Sequence, residues 1–236
     1  MSIVTDIMKM VDHSLLAPNL TDQQLTDGCE IAAKYNTASV CVKPYHVKAA
    51  AELLDGTDVL VGGVIGFPHG NSTTAIKLAE TEQILSDGAV EVDMVINVGK
   101  VLSGDWDYVL AEISAIVEAA HARGAIVKVI FENDLLPEDS DKVQLCDICT
   151  QAGADFIKTS TGYNYIKGED GKYSYQGATL DDLALMIDNT PDSVQVKAAG
   201  NSGTLERVLL MKEMGVTRTG TGKTVKLFED AVEKFE

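Results

Sequence analysis

The chain is poor in several things, and each shortage closes off a class of protein. It has 19 basic residues against 36 acidic ones, a formal net charge of −17. Phosphate-backbone and anionic-membrane binding need clustered Lys and Arg, so nucleic acid and membrane surfaces are poor partners for it. The four cysteines among 236 residues make no disulfide scaffold. Cys146 and Cys149 form a lone CxxC inside a helical pattern, with no second pair and no nearby His, so zinc is not expected there. No apolar run approaches the ~20 residues that span a bilayer, and the first ten residues show no secretory signal pattern. A cytoplasmic, reduced protein is the expectation. Low-complexity tracts and Pro/Gly-rich linkers are also lacking, which argues for a single domain over residues 1–236.

Short strand-like runs are present from end to end, at Val11–Leu16, Ala38–Lys43, Val59–Ile65, Val90–Asn97, Ile126–Glu132, Ala154–Thr159, Ser193–Ala198 and Val216–Gly220. Between them lie helix-sized segments with apolar residues three and four apart, as in Thr73–Ser86, Asp105–Arg123 and Leu205–Met214. Thr204 is placed as an N-cap, and Gly124, Gly153 and Gly215 sit where helices would stop. Strands alternating with helices imply βαβ units and a parallel sheet. The count suits an α/β fold of the closed (β/α)8, or TIM, barrel type. A doubly wound open sheet is the alternative, but the Gly-x-Gly-x-x-Gly expected after its first strand is missing.

Charged residues then stand out within apolar strands. Lys43, Lys158 and Lys197 fall near strand C-terminal ends, the mouth of such a barrel, while Lys128 lies earlier in its strand and Asp93 sits between Val92 and Met94. A buried amine is costly unless paired or neutralised. A lysine near like charge loses its proton more readily and becomes a nucleophile towards carbonyls, forming a Schiff base. Lys158, Lys197 and Asp93 fit the three needs of that chemistry: a nucleophilic amine, a second cation to depress it, and an acid/base. By residue chemistry alone, either lysine could be the nucleophile.

The block Phe156-Ile-Lys-Thr-Ser-Thr-Gly162 is the most specific signal in the chain. With it come Asp12-His-Ser-Leu-Leu16, Gly66-Phe-Pro-His-Gly70, Glu91-Val-Asp-Met-Val-Ile-Asn97, Lys128-Val-Ile-Phe-Glu132 and Val196-Lys-Ala-Ala-Gly200. In this order and over nearly the whole length, the chain resembles the deoxyribose-phosphate aldolases, a class I, Schiff-base-forming family. The resemblance implies that Lys158 forms the imine, Lys197 tunes it and Asp93 shuttles protons. It implies supporting roles for Asp12, Cys41 and Thr161. The implied reaction is reversible cleavage of 2-deoxy-D-ribose 5-phosphate to acetaldehyde and D-glyceraldehyde 3-phosphate, with no metal and no organic cofactor. Partners implied are the small-molecule sugar phosphate and aldehydes, and a homodimer or larger homo-oligomer.

At the phosphate end the chain departs from the family. Where the family reads Gly-Gly, a small residue, Arg and Thr, this chain has Gly200-Asn-Ser-Gly-Thr204. Where the family has Gly-Thr-Ser or Gly-Ala-Ser, it has Gly220-Thr-Gly-Lys-Thr224. Barrels frequently hold phosphate after strands seven and eight beside a short helix N-terminus, so it is expected among the loops after strands six, seven and eight, at the amides near Gly162, Gly200, Asn201, Gly220 and Thr221. Lys223 is either an added cation or an exposed lysine at a helix start. The tyrosine that ends some members is absent from Ala231-Val-Glu-Lys-Phe-Glu236. These departures keep open the same aldol chemistry on another, non-phosphorylated acceptor. Thr217–Thr224 is one residue short of a P-loop, but too few residues follow for the magnesium-binding strand of a nucleotide hydrolase.

Overall fold

The computed structural model describes residues 2–236. A short helix α1 (Ile3–Met8) precedes β1 (Val11–Leu15), and from there strand and helix alternate, with two successive helices after the fourth strand. α2 (Asp22–Tyr35), β2 (Ser39–Val42), α3 (Val47–Leu53), β3 (Leu60–Ile65) and α4 (Thr74–Ser86) follow. Next come β4 (Glu91–Val95), α5 (Val98–Leu102), α6 (Trp106–His121), β5 (Ile126–Ile130), α7 (Asp139–Ala152) and β6 (Phe156–Lys158). A two-stranded excursion, β7 (Ile166–Lys167) and β8 (Tyr173–Ser174), interrupts the alternation. α8 (Leu180–Asp188), β9 (Gln195–Ala199), α9 (Leu205–Met214), β10 (Arg218–Thr221) and α10 (Thr224–Phe235) complete the chain.

Eight of the strands close into a parallel barrel in the order β1-β10-β9-β6-β5-β4-β3-β2. The closed barrel is therefore the observed answer, and the open sheet is not. Successive residues on a strand face opposite sides. Val40 and Val42, Val92 and Met94, and Val127 and Val129 belong to the apolar core that also takes in helix residues such as Ile84, Ile113 and Leu145. The alternate positions, Glu91, Asp93, Lys128, Lys158 and Lys197, place the charge inside the barrel, all of it buried.

Local chemistry sets the helix ends. Asp105 caps α6 by accepting from Tyr108 N, Thr204 caps α9 by accepting from Arg207 N, and Gly153 and Gly215 end α7 and α9 in the left-handed region at φ 76° and 110°. Gly124 lies just past α6, also left-handed at φ 72°. Observed strands are one to three residues shorter than the expected runs, trimmed at either end, while β9 and β10 each run one residue further towards the mouth than expected. Of the stretch resembling a P-loop, residues 218–221 form the last barrel strand. Cys146 and Cys149 lie buried and free within α7. Among the described residues no helix is long and apolar enough to cross a membrane.

Candidate active site

The barrel register sets the charges against one another. Asp93 of β4 pairs with Lys128 of β5, and Lys158 of β6 with Lys197 of β9. Thr159 stitches β6 to β9 just above the two lysines, its Oγ1 donating to Ala199 O at 3.0 Å and accepting from Ala199 N at 3.1 Å. From there, Lys158 Nζ reaches Asp93 Oδ2 at 2.8 Å and Lys197 Nζ reaches the same oxygen at 2.7 Å. Lys197 also meets Asp12 Oδ2 at 2.5 Å.

Below them lies a deeper layer. Lys128 Nζ contacts Asp12 Oδ2 at 3.0 Å and Glu91 Oε2 at 2.5 Å, and faces Asp93 Oδ1 at 3.2 Å. The angle of that last approach makes no hydrogen bond, so Asp93 Oδ1 is left without a hydrogen-bond partner. Arg218 bridges Asp12 Oδ1 and Glu91 Oε1, the latter at 2.9 Å. Phe156 floors the cluster, with Lys128 Nζ 5.9 Å and the Arg218 guanidinium 5.7 Å from its ring centroid.

Counting charges explains why the lysines shift in opposite directions. Lys128, Lys158, Lys197 and Arg218 face Asp12, Glu91 and Asp93, one cation in excess. Lys128 has three carboxylate neighbours, Lys197 has two, and Lys158 has only the shared Asp93. Burial disfavours the charged form of all three. For Lys128 and Lys197 the carboxylates outweigh it, so both are held above the usual lysine range. For Lys158, burial and the neighbouring Lys197 outweigh Asp93, and its amine is lowered. Burial would raise Asp93, but the three lysines overcome that and keep it ionised.

A cavity of about 360 Å³ opens above this cluster, with Asp12, Cys41, Lys158 and Lys197 at its floor. Asp93 lies one layer deeper and does not border it. Cys41 Sγ stands 3.8 Å from Asp93 Oδ2, and burial beside that carboxylate pushes its thiol up to about 11, so it stays protonated at neutral pH. Thr161 borders the cavity, with its N–H donating to both oxygens of Glu132 at 3.2 Å. Gly162, Gly200, Asn201, Gly220, Thr221 and Lys223 line the remaining wall together. Asn201 holds its turn in the left-handed region at φ 52°, which asparagine tolerates. At Gly203 a Cβ would fall 2.1 Å from Thr221 Oγ1, so Thr221 fills the space where a side chain would begin. Lys223 is both of the things its sequence allowed: it is exposed at the N-cap of α10 and it borders the cavity. Its side chain caps nothing, leaving the first N–H groups of α10 open.

Lys43 is a correction. It does not converge with the other lysines but turns aside, donating to the carbonyls of Ala17 at 2.9 Å and Leu20 at 3.3 Å. It borders a separate apolar cavity of about 280 Å³ lined by Val64, Phe67 and Tyr163 among others. Its place is taken by Lys128, whose mid-strand position puts it beneath Asp93. The reading of one carboxylate among several lysines also widens to three. Arg218 and Glu91 escaped notice as charge partners because each sits at the first residue of a short strand, where a charge usually faces solvent. Glu132, just past the end of β5, was not singled out either: at φ 58° it accepts from Asn164 Nδ2 at 2.8 Å, and Asn164 in turn contacts His69 Nδ1 at 2.7 Å. Among the described residues no group of three or more His, Cys, Asp or Glu is arranged to hold a metal.

A closed parallel barrel with a lysine of lowered basicity at its mouth has the layout of a barrel enzyme of the amine-using, aldolase class. The family model of the DeoC/LacD family aldolases matches residues 6–211, and the chain belongs to that family. It is 46% identical over 226 residues to a deoxyribose-phosphate aldolase of Rhodopirellula baltica, covering 96% of this chain and 89% of that one. A deoxyribose-phosphate aldolase of Thermococcus gammatolerans is 42% identical over 228 residues, covering 96% of both. Among solved structures, the deoxyribose phosphate aldolase of Aeropyrum pernix, described as a unique tetrameric structure, superposes with a TM-score of 0.86 at 29% identity, covering 99% of this chain and 93% of that one.

Proposed function

We propose that the protein is a class I lyase that reversibly cleaves 2-deoxy-D-ribose 5-phosphate into acetaldehyde and D-glyceraldehyde 3-phosphate through a lysine Schiff base. The observation that carries the reading is the lowered amine of Lys158 beside Lys197, both on one oxygen of Asp93.

The neutral Lys158 amine attacks C1 of the open-chain sugar, forming a C–N bond, and loss of water leaves a protonated imine. The C3 hydroxyl proton is taken up by the Lys197–Asp93 pair through the amine or a water, since Asp93 itself lies below the cavity. The C2–C3 bond then breaks. Its electron pair moves into the imine to make an enamine, and D-glyceraldehyde 3-phosphate leaves. Protonation at C2 returns an imine of acetaldehyde, and water hydrolyses it to acetaldehyde and free Lys158. Asp12 holds Lys197 from its far side, Cys41 supplies a neutral wall, and Thr161 shapes the turn above Lys158. Phosphate rests on the amides near Gly162, Gly200, Asn201, Gly220 and Thr221, at the open first turn of α10, with Lys223 adding charge.

A second reading, the same chemistry on a non-phosphorylated acceptor, is favoured by the apolar cavity beside the site, which shares Leu16 and Tyr163 with it, and by Gly203 in the family's arginine place. A homodimer or larger assembly and a cytoplasmic location complete the proposal. The free, buried cysteines suit a reducing compartment. Borohydride reduction in the presence of acetaldehyde, followed by peptide mass mapping, should place an ethyl adduct on Lys158. An adduct confined to Lys197, or none, overturns the assignment, and comparing cleavage of 2-deoxyribose 5-phosphate with that of 2-deoxyribose separates the two acceptors.

A further inference from the structure

Between β6 and α8 the chain leaves the plain strand-loop-helix repeat and raises the β7–β8 hairpin beside the barrel mouth. Its tip is exposed and closed on itself, Gly168 N donating to Lys172 O at 2.8 Å. Its foot is fastened firmly. Gln176 N and Gly177 N both donate to the Asp134 carboxylate at 2.9 Å, Asn201 Nδ2 donates to Gln176 O at 2.9 Å, and Ala178 N donates to Gly200 O at 3.1 Å.

Tyr175 sits where this foot meets the site. Its ring packs on Tyr165 with centroids 5.5 Å apart, and its hydroxyl is buried against the glycine loops. A Cβ at Gly200 would fall 1.8 Å from Tyr175 Oη, and one at Gly162 would fall 3.7 Å from it. The oxygen therefore presses on the α-carbon of Gly200 and also neighbours Gly162. Those two glycines line the cavity from different loops, the ones that follow β9 and β6. Tyr175 Oη and Ser160 Oγ are both buried and lie beside one another, so the tyrosine oxygen is held by a neighbouring hydroxyl where it presses on Gly200.

Both glycines are left-handed, at φ 88° for Gly162 and 82° for Gly200, and neither has a side chain to brace its loop. A cradle of backbone N–H groups recognises an anion only if its spacing is held, and the bracing must come from outside. Asn201, which replaces a family glycine, sends its amide to the hairpin foot, so that departure serves the same clamp. The geometry points to Tyr175 as a positioning residue for the phosphate end, its hydroxyl wedged against Gly200 to hold the β9 loop in register with Gly162, so that the hairpin sets the preference for a phosphorylated substrate. The inference rests on the aldolase reading above and adds to it what makes the site select phosphate.

The test measures kcat and KM for 2-deoxyribose 5-phosphate and for free 2-deoxyribose in wild type, Tyr175→Phe and Asn201→Gly, with thermal melts to establish folding. Tyr175→Phe keeps the ring and removes the hydroxyl, with its wedge on Gly200 and its contact to Ser160; Asn201→Gly keeps the turn and releases the clamp. In each, the ratio of kcat/KM for the phosphorylated over the free sugar should fall by about 5- to 10-fold, chiefly through KM of the phosphorylated sugar, since sub-ångström misplacement of a binding group is felt at that scale. An unchanged ratio in both variants, or a parallel loss on both sugars, overturns the proposal. If Tyr175→Phe does not fold, Asn201→Gly decides the matter by the same ratio. A wild type that forms no acetaldehyde adduct and cleaves neither sugar defeats the aldolase reading instead. A wild type that forms the adduct but cleaves both sugars equally leaves that chemistry standing and overturns only the phosphate clamp.

Discussion

Lys158 and Lys197 stand directly opposite one another on β6 and β9, and their amines meet the same oxygen of Asp93 at 2.8 and 2.7 Å. Two cations on one acceptor cannot be satisfied equally. Lys197 has Asp12 as a second carboxylate and is held above the usual lysine range, while Lys158 has no second and is lowered below it. The asymmetry between two chemically identical side chains comes entirely from what each can reach.

It predicts a pH signature. Lys158 must be neutral to attack, so the rate of imine formation rises with pH through the Lys158 value, which lies below the usual 10.5. Lys197 is one of the causes of the lowering. Lys197→Met should therefore move the rising limb to higher pH, with activity lost at neutral pH and partly regained in alkali. The pH dependence of borohydride trapping with acetaldehyde measures this, and an unshifted limb would sink the tuning role.

Asp93→Asn should fold and lose most of its turnover, by about 10²- to 10⁴-fold, the usual worth of a general acid/base. Asn keeps the size of the side chain but removes the charge that anchors both lysines, so the pH profile should change shape as well. Single-turnover cleavage of 2-deoxyribose 5-phosphate, alongside a circular dichroism spectrum, checks it. Near-normal turnover in the folded variant removes Asp93 from the proton path.

Lys223→Ala should raise KM for 2-deoxyribose 5-phosphate several-fold and leave free 2-deoxyribose little affected. The amine borders the cavity but is solvent-exposed, so its contribution is that of a screened charge. The effect should shrink as salt is added. Equal changes on both sugars would show that the amine does not reach the phosphate.

His13 carries a pH effect on stability distinct from catalysis. It is buried on β1 with Nδ1 2.7 Å from Thr224 Oγ1 of α10, and burial lowers it to about 4 from 6.5. A depressed folded-state value means the unfolded chain binds the proton first. The stabilisation is whole above pH 6.5 and is lost as pH falls towards about 4. The full loss is of order 3 kcal/mol, roughly 1.4 for each unit of the shift. Urea unfolding of wild type and His13→Gln between pH 7 and 4.5 should show a shallower slope in the variant, and parallel slopes would contradict the assignment.

The alternation of strand and helix was written in the periodicity of the chain, because burying a strand between barrel interior and helix layer demands β-branched runs and helices demand apolar residues at three- and four-residue spacing. Lys158 and Lys197 were legible for a related reason. A lysine within an apolar run at a strand's end is too costly to be there without a partner. The hairpin and Tyr175 were not legible, since β7 and β8 have only two residues each and no periodicity can emerge from so few. Lys43 was misplaced because strand position alone does not say which way a side chain turns once the ladder ends. There, two backbone carbonyls drew it outward.

The sequence by itself determined the barrel and the aldolase family, and it singled out Lys158, Lys197 and Asp93 as charges within apolar strands, all of which depend on residue type and order along the chain. Tertiary structure alone decided how charge is shared among them. Asp12, Glu91 and Arg218 come from β1, β4 and β10, and only barrel closure brings β10 beside β1 and sets these groups in contact. Electrostatic energy depends on distance and burial rather than on order. For that reason the physical cause that lowers Lys158 and raises Lys197 could be read only once the strands had been set side by side.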